Sequence, residues 1–222
     1  MLWYKAWLET RWRALVFMSM MLFSVFQAHY QGHLKIGPGV LYILPLFWLI
    51  FPAVLAGSGI ATEAPVQPLK GTHGSMYFTL ALPISRLRLL VGRAFFGLIE
   101  VFAVIVVVSA VAAVAFPEIR NATTLADGCR YAVTVLLCGA GVYGLSTLFS
   151  TFLAQQWQVW ATMGAVFLLR LLAGTNLFIF RAMAQDSPLI THTLPWAAMG
   201  ASLGIGMLFF LAAARVVQTR QY

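Results

Sequence analysis

Residues 87–116 read LRLLVGRAFFGLIEVFAVIVVVSAVAAVAF, and this stretch decides the kind of fold. Its second half, from Val101 to Phe116, carries no charged side chain. In a helix, about 20 predominantly apolar residues rising 1.5 Å each cross a ~30 Å hydrocarbon core. The rest of the chain has the same character. Of its 222 residues, 61% are hydrophobic and 9% charged, and the mean hydropathy is +0.88. A soluble domain carries about 25% charged and 45–50% apolar residues. Lipid is therefore the expected solvent for most of this surface, and soluble globular and disordered classes are excluded. The length suits a single membrane domain, 1–222, with no soluble domain beside it.

Further apolar runs lie on both sides of 87–116. The sequence predicts an all-α integral membrane protein with six transmembrane spans, at 14–30, 40–60, 87–116, 131–152, 157–180 and 196–214. Pro45 and Pro52 are positioned to kink the second span. Residues 2–13, LWYKAWLETRWR, place Lys5, Glu9 and Arg13 on one helical stripe and gather Trp3, Tyr4, Trp7 and Leu8 opposite. That pattern predicts an amphipathic helix lying in the membrane interface ahead of the first span. Its aromatic content and the lack of a small-residue cleavage site argue against a signal peptide, so residues 1–30 are expected to be retained.

A net charge of +8 raises the possibility of a nucleic-acid partner, but the charges sit at the ends of apolar runs, where orientation in a bilayer is decided. With the N-terminus inside, the inner segments hold Lys5, Arg11, Arg13, Lys70, Arg86, Arg88, Arg93, Arg215 and Arg220. The outer segments hold Lys35, Arg120, Arg130 and Arg181. The inner excess predicts both termini in the cytoplasm and a cytoplasmic loop at 61–88. The Asn121-Ala122-Thr123 sequon then falls outside, where it has no consequence in a bacterium.

Few residues offer chemistry. The chain has no phosphate-binding loop, no Gly-x-Ser-x-Gly elbow and no His-Glu-x-x-His. No catalytic residue is therefore expected, and ATP chemistry would require another chain. His29 and His33 have helical metal-ligand spacing but no neighbouring carboxylate or cysteine, so no metal is expected; His73 and His192 stand alone in loops. Cys129 and Cys138, roughly 13 Å apart along one helix, read as packing residues rather than a disulfide. Glu100 and Arg170 lie deepest in the apolar runs. They read either as a polar feature in a substrate path or as a structural ion pair between the third and fifth spans. Gly139, Gly141 and Gly144 in the fourth span, and Gly200, Gly204 and Gly206 in the sixth, favour close helix contact. Gly200 and Gly204 form a G-x-x-x-G, a pattern that joins helices within a chain more often than between chains.

The most informative segment precedes Leu87. Residues 63–93 read EAPVQPLKGTHGSMYFTLALPISRLRLLVGR. In order they present Glu63, Gly71-Thr72, a short apolar piece, Leu82-Pro83-Ile84-Ser85-Arg86 and Arg93. This resembles the first cytoplasmic loop of type-2 ABC exporter permeases, with two departures: Pro65 and Pro68 interrupt the connector after Glu63, and Arg93 stands where lysine is commoner. The resemblance implies six spans behind an elbow helix at 2–13 and a coupling helix near Thr72–Ala81. That helix would dock on a cytoplasmic ABC ATPase subunit, which binds ATP and Mg; this chain itself takes no cofactor. It also implies a second permease chain, identical or different, and a multi-pass place in a bacterial inner or plasma membrane. The implied activity is export of a drug, lipid or other amphiphile. The residues leave two other classes open: a membrane enzyme acting on lipid, for which the six acidic residues are too scattered, and an ion-coupled carrier using Glu100 and Arg170.

Overall fold

A computed structural model of the chain describes residues 2–30, 85–122, 124–153 and 155–219. The second expected span, 40–60, and residues 61–84 lie outside these. Among the described residues the structure is helical throughout, with no strand. Three helices are long and apolar enough to cross a membrane: Leu87–Ala115, Leu125–Phe149 and Trp196–Thr219. Two shorter apolar helical stretches, Ala14–Gln27 and Trp157–Ala173, accompany them.

Helix α1 runs unbroken from Leu2 to Tyr30. The separate interfacial helix expected at 2–13 is thus continuous with the 14–30 segment. The physical reason is simple: no glycine or proline lies between Met1 and Tyr30 to end the first helix. The hydroxyls of Ser19 and Ser24 donate to Leu15 O and Met20 O, so neither interrupts the ladder. Helix α1 packs along α2 (Arg86–Ala115), burying Ala14, Met21 and Val25. At the far end the Phe26 ring meets Phe116 edge-on, with centroids 5.1 Å apart.

Pro117, which opens the short α3 (Pro117–Ala122), follows the end of α2 at Ala115. Helix α4 (Leu125–Phe149) is the central helix and the most buried of the three long apolar ones. It touches α2, α5 (Gln155–Ala173), the short α6 (Phe178–Met183) and α7 (Pro188–Thr191), and most extensively α8 (Trp196–Thr219). It begins six residues ahead of its expected start at 131, because Thr124 caps it and Asp127 sits in its first turn.

The fifth apolar run departs further from expectation. A continuous helix to residue 180 was expected, but α5 ends at Ala173, a 3-10 turn covers Gly174–Asn176 and α6 follows. Gly174 adopts φ 61°, the left-handed conformation that ends helices and that glycine reaches without a Cβ clash. Helix α8 runs five residues beyond its expected end at 214, to Thr219.

Large apolar side chains face outward along the long helices. Phe23, Phe95, Phe102, Val107, Leu168, Leu172, Met207 and Leu208 are all exposed. Soluble proteins seldom show contiguous apolar surface on this scale, and it fits a protein embedded in a membrane.

The seam between α4 and α8 is made by small residues. A Cβ on Gly144 would collide with the Gly206 carbonyl, and one on Gly206 with the Ala140 carbonyl. Between them the Ser202 hydroxyl donates to Cys138 O at 2.6 Å and accepts from the Gly141 N–H at 3.2 Å. The expected G-x-x-x-G pair, Gly200 and Gly204, makes no close helix contact among the described residues, since a Cβ at either position meets open space. A turn of helix is 3.6 residues, so Ser202 and Gly206 share a face on which Gly200 and Gly204 do not lie. A second tie runs from α4 to α2, where the Tyr143 hydroxyl donates to Ala94 O at 2.7 Å.

Candidate functional site

Of the residues expected to form a coupling loop, Glu63, Gly71, Thr72, Leu82, Pro83 and Ile84 lie outside the described residues. Ser85, Arg86 and Arg93 lie within them. Ser85 is the N-cap of α2, with extended backbone at φ −61° and ψ 136°, and its hydroxyl accepts from the Arg88 N–H at 3.3 Å. Its carbonyl accepts the first helical bond from Leu89. The helix therefore starts at Arg86, directly after Leu82-Pro83-Ile84-Ser85. Arg88 is exposed and Arg93 half-buried.

Glu100 is buried halfway along α2, at 4% exposure. Neither it nor Arg93 stands without a partner. Arg170 occupies the last turn of α5. Its guanidinium lies 4.9 Å from the centre of the Phe180 ring and reaches the Gly174 carbonyl at 3.5 Å. Both partners follow it in sequence, so Arg170 closes the α5–α6 corner instead of meeting Glu100 across the bundle. The early end of α5 places it there: Arg170 stands near a helix end, not in mid-span.

A polar cluster that sequence reading missed joins α4 to the connector between α7 and α8. Thr124 and Asp127 cap α4 reciprocally: the Asp127 N–H donates to the Thr124 hydroxyl at 3.2 Å, and that hydroxyl donates to Asp127 Oδ2 at 2.7 Å. The Asp127 side chain is only 3% exposed. Its Oδ1 accepts from Arg130 Nη1 at 2.9 Å, and its Oδ2 lies 3.0 Å from His192 Nδ1. A carboxylate only accepts, so Nδ1 carries the hydrogen. Arg130 Nη1 also donates to the His192 carbonyl at 3.0 Å. His192, expected to stand alone, is thus held by both its ring and its backbone. The spacing Thr124-x-x-Asp127 was the legible half of this cluster; the other half is 65 residues away. Nearby, Arg181 Nε and Asp186 Oδ2 pair at 2.9 Å on the surface.

A second buried polar group lies where α4 ends and α5 begins. Ser146, Thr147, Ser150, Thr151, Gln158 and Thr162 are all buried. The Gln158 amide donates to the Ser146 hydroxyl at 2.7 Å, tying the two helices. The hydroxyls of Thr147, Ser150, Thr151 and Thr162 return to backbone carbonyls three or four residues back. Such local bonds satisfy polar groups where no water is available.

Among the described residues no group of three or more His, Cys, Asp or Glu side chains is placed to hold a metal. His33 and His73 lie outside the described residues. No family model, curated protein or solved structure matches the chain.

Proposed function

We propose that this chain is the membrane-spanning permease subunit of an ABC-type exporter, moving an amphiphilic substrate with ATP hydrolysed on a separate subunit. The observation that carries this reading is the order Glu63, Gly71-Thr72, Leu82-Pro83-Ile84-Ser85-Arg86, Arg93 within one interruption between apolar runs. The start of α2 on the Ser85 cap agrees with it, because a stiff helix of 30 residues then begins where the loop motif ends. A push on the loop is transmitted along such a rod.

In this architecture six spans cross a bacterial cell membrane with both termini in the cytoplasm. The tryptophan- and arginine-bearing first turns of α1 rest at the inner interface. The segment Thr72–Ala81 forms a coupling helix in a groove of a cytoplasmic ABC ATPase, which holds ATP and Mg. Arg86 and Arg88 sit against the anionic inner leaflet or acidic groups of that subunit. A second permease chain completes the path.

The test is reconstitution. Purified from its native membrane, the tagged chain is expected to bring an ATPase with it, and substrate efflux from liposomes should require ATP. Efflux by the chain alone on an ion gradient would instead favour an ion-coupled carrier, the reading that the buried Glu100 supports.

The topology makes its own prediction. Cys129 is exposed near the start of α4, whereas Cys138 is fully buried. In intact cells a membrane-impermeant maleimide should label Cys129 from outside and leave Cys138 unmodified until the protein is unfolded. Labelling of Cys129 only after the cells are opened would invert the orientation.

A further inference from the structure

The cluster around His192 does more than cap a helix. His192 closes the short α7 with φ 54° and ψ 16°, the one non-glycine residue at positive φ among the described residues. That conformation is several-fold enriched in histidine, yet it is still strained for a residue with a Cβ. Two bonds hold it there, one from Arg130 to its carbonyl and one from its ring to Asp127.

The two sides of this contact differ in character. Asp127 is anchored, with its carboxylate buried and tied into the first turn of α4 by Thr124. His192 and Arg130 are open to solvent, with side chains 61% and 43% exposed. Water can replace their bonds at little cost, whereas removing Asp127 from its site would break the helix cap. The movable partner is therefore the connector 192–195, which leads directly into α8 at Trp196.

Further along the same two helices the contact is of another kind. Around Gly141, Gly144, Ser202 and Gly206 the backbones touch and are cross-bonded. Between that contact and His192 lie Thr134 and Met199, both fully buried, with the Thr134 hydroxyl 3.8 Å from the Met199 sulfur. This is a weak contact between a seam pinned in its middle and a polar tie at its end.

We propose that His192 is the pin of a releasable clasp: with Asp127 and Arg130 it closes the end of the α4–α8 seam, and its withdrawal lets the helix ends part about the glycine contact. The clasp stands independently of the exporter reading, and its test needs no transport substrate.

The test places a single thiol under the clasp. Thr134→Cys is made in a Cys129→Ser, Cys138→Ser background, and its rate of modification by N-ethylmaleimide is measured on the full chain in detergent. The measurement is repeated with His192→Gly, which keeps the left-handed backbone and its carbonyl but removes the ring. A matching thiol at Val217→Cys, buried near the other end of α8, reports general loosening. With His192→Gly the rate at position 134 is expected to rise roughly tenfold or more, the scale on which loss of a charge-assisted hydrogen bond shifts a local opening equilibrium. The rate at 217 should not change. Arg130→Gln, which removes the guanidinium bonds to the His192 carbonyl and to Asp127, should raise the rate at 134 in the same direction. An unchanged rate at 134 would overturn the clasp. A parallel rise at 134 and 217 would overturn it too, since His192 would then support the fold as a whole.

Discussion

Gly144→Leu is expected to abolish the folded protein, while Gly200→Leu, six residues from Gly206 on the same partner helix, leaves it intact. The two glycines look equivalent in sequence. At Gly144, however, any Cβ runs into the Gly206 carbonyl, and the obstacle is backbone rather than a side chain that can rotate away. The helices would have to separate, and the Ser202 bonds to Cys138 O and Gly141 N would be lost with them. Overpacking by a few methylenes costs ~1–3 kcal/mol even where side chains can adjust. A leucine against backbone should exceed that, and the ~0.5–1 kcal/mol gained by replacing a helical glycine does not offset it. Around Gly200 there is open space, and only that small propensity gain applies. Monodisperse yield after detergent extraction and thermal unfolding of the two variants provide the comparison. Normal folding of Gly144→Leu would mean that the α4–α8 contact does not have the geometry described.

If the chain pairs with an ATPase as proposed, replacing Met76–Leu82 with a Gly/Ser segment of equal length is expected to abolish retention of that subunit on the tagged chain. Docking through a short helix, as proposed, would need an apolar face that a Gly/Ser segment does not supply. Without it, each of the replaced residues must be fixed on binding at ~1–2 kcal/mol of backbone entropy, and the side chains that compensate are gone. For this segment the cost is about 7–14 kcal/mol, comparable with or larger than the whole free energy of a micromolar complex, about 8 kcal/mol. The change stops short of Pro83 and Ser85, so the cap that starts α2 survives and insertion should be normal. Labelling of Cys129 from outside the cell confirms insertion in the same sample. Retention of the ATPase by a correctly inserted variant would remove the docking role from this segment.

Some features were legible because their causes are local. The charge-free run from Val101 to Phe116 predicts a helix in lipid, and α2 carries that run as far as Ala115. Pro117 marks the end of α2 as clearly as its φ restriction requires. The absence of glycine and proline before residue 31 makes α1 continuous, and the interfacial pattern of 2–13 hides this because an amphipathic turn and an apolar turn belong equally well to one helix. The end of α5 at Ala173 is obscured in a similar way. Leu177, Phe178, Ile179 and Phe180 prolong the apolar run, but hydropathy is blind to the left-handed turn that Gly174 provides.

Features that depend on distant pairs were not legible. Glu100 and Arg170 invite pairing because both are charged and deep in apolar runs, yet the short α5 turns Arg170 toward Phe180. The glycines and serines of these two helices offer several ways to pack, and only the helix crossing selects Gly141, Gly144, Ser202 and Gly206.

The sequence by itself determined that the surface suits lipid, that the elements are helices and where α2 begins. Composition, capping and proline act over a few neighbouring residues, so their effects can be read in line. The tertiary structure alone decided that Gly141 meets Ser202, 61 residues away, and that Asp127 meets His192, 65 residues away. Those contacts arise from the way α4 and α8 lie against each other, and the order of residues along one helix does not state which face the other will take.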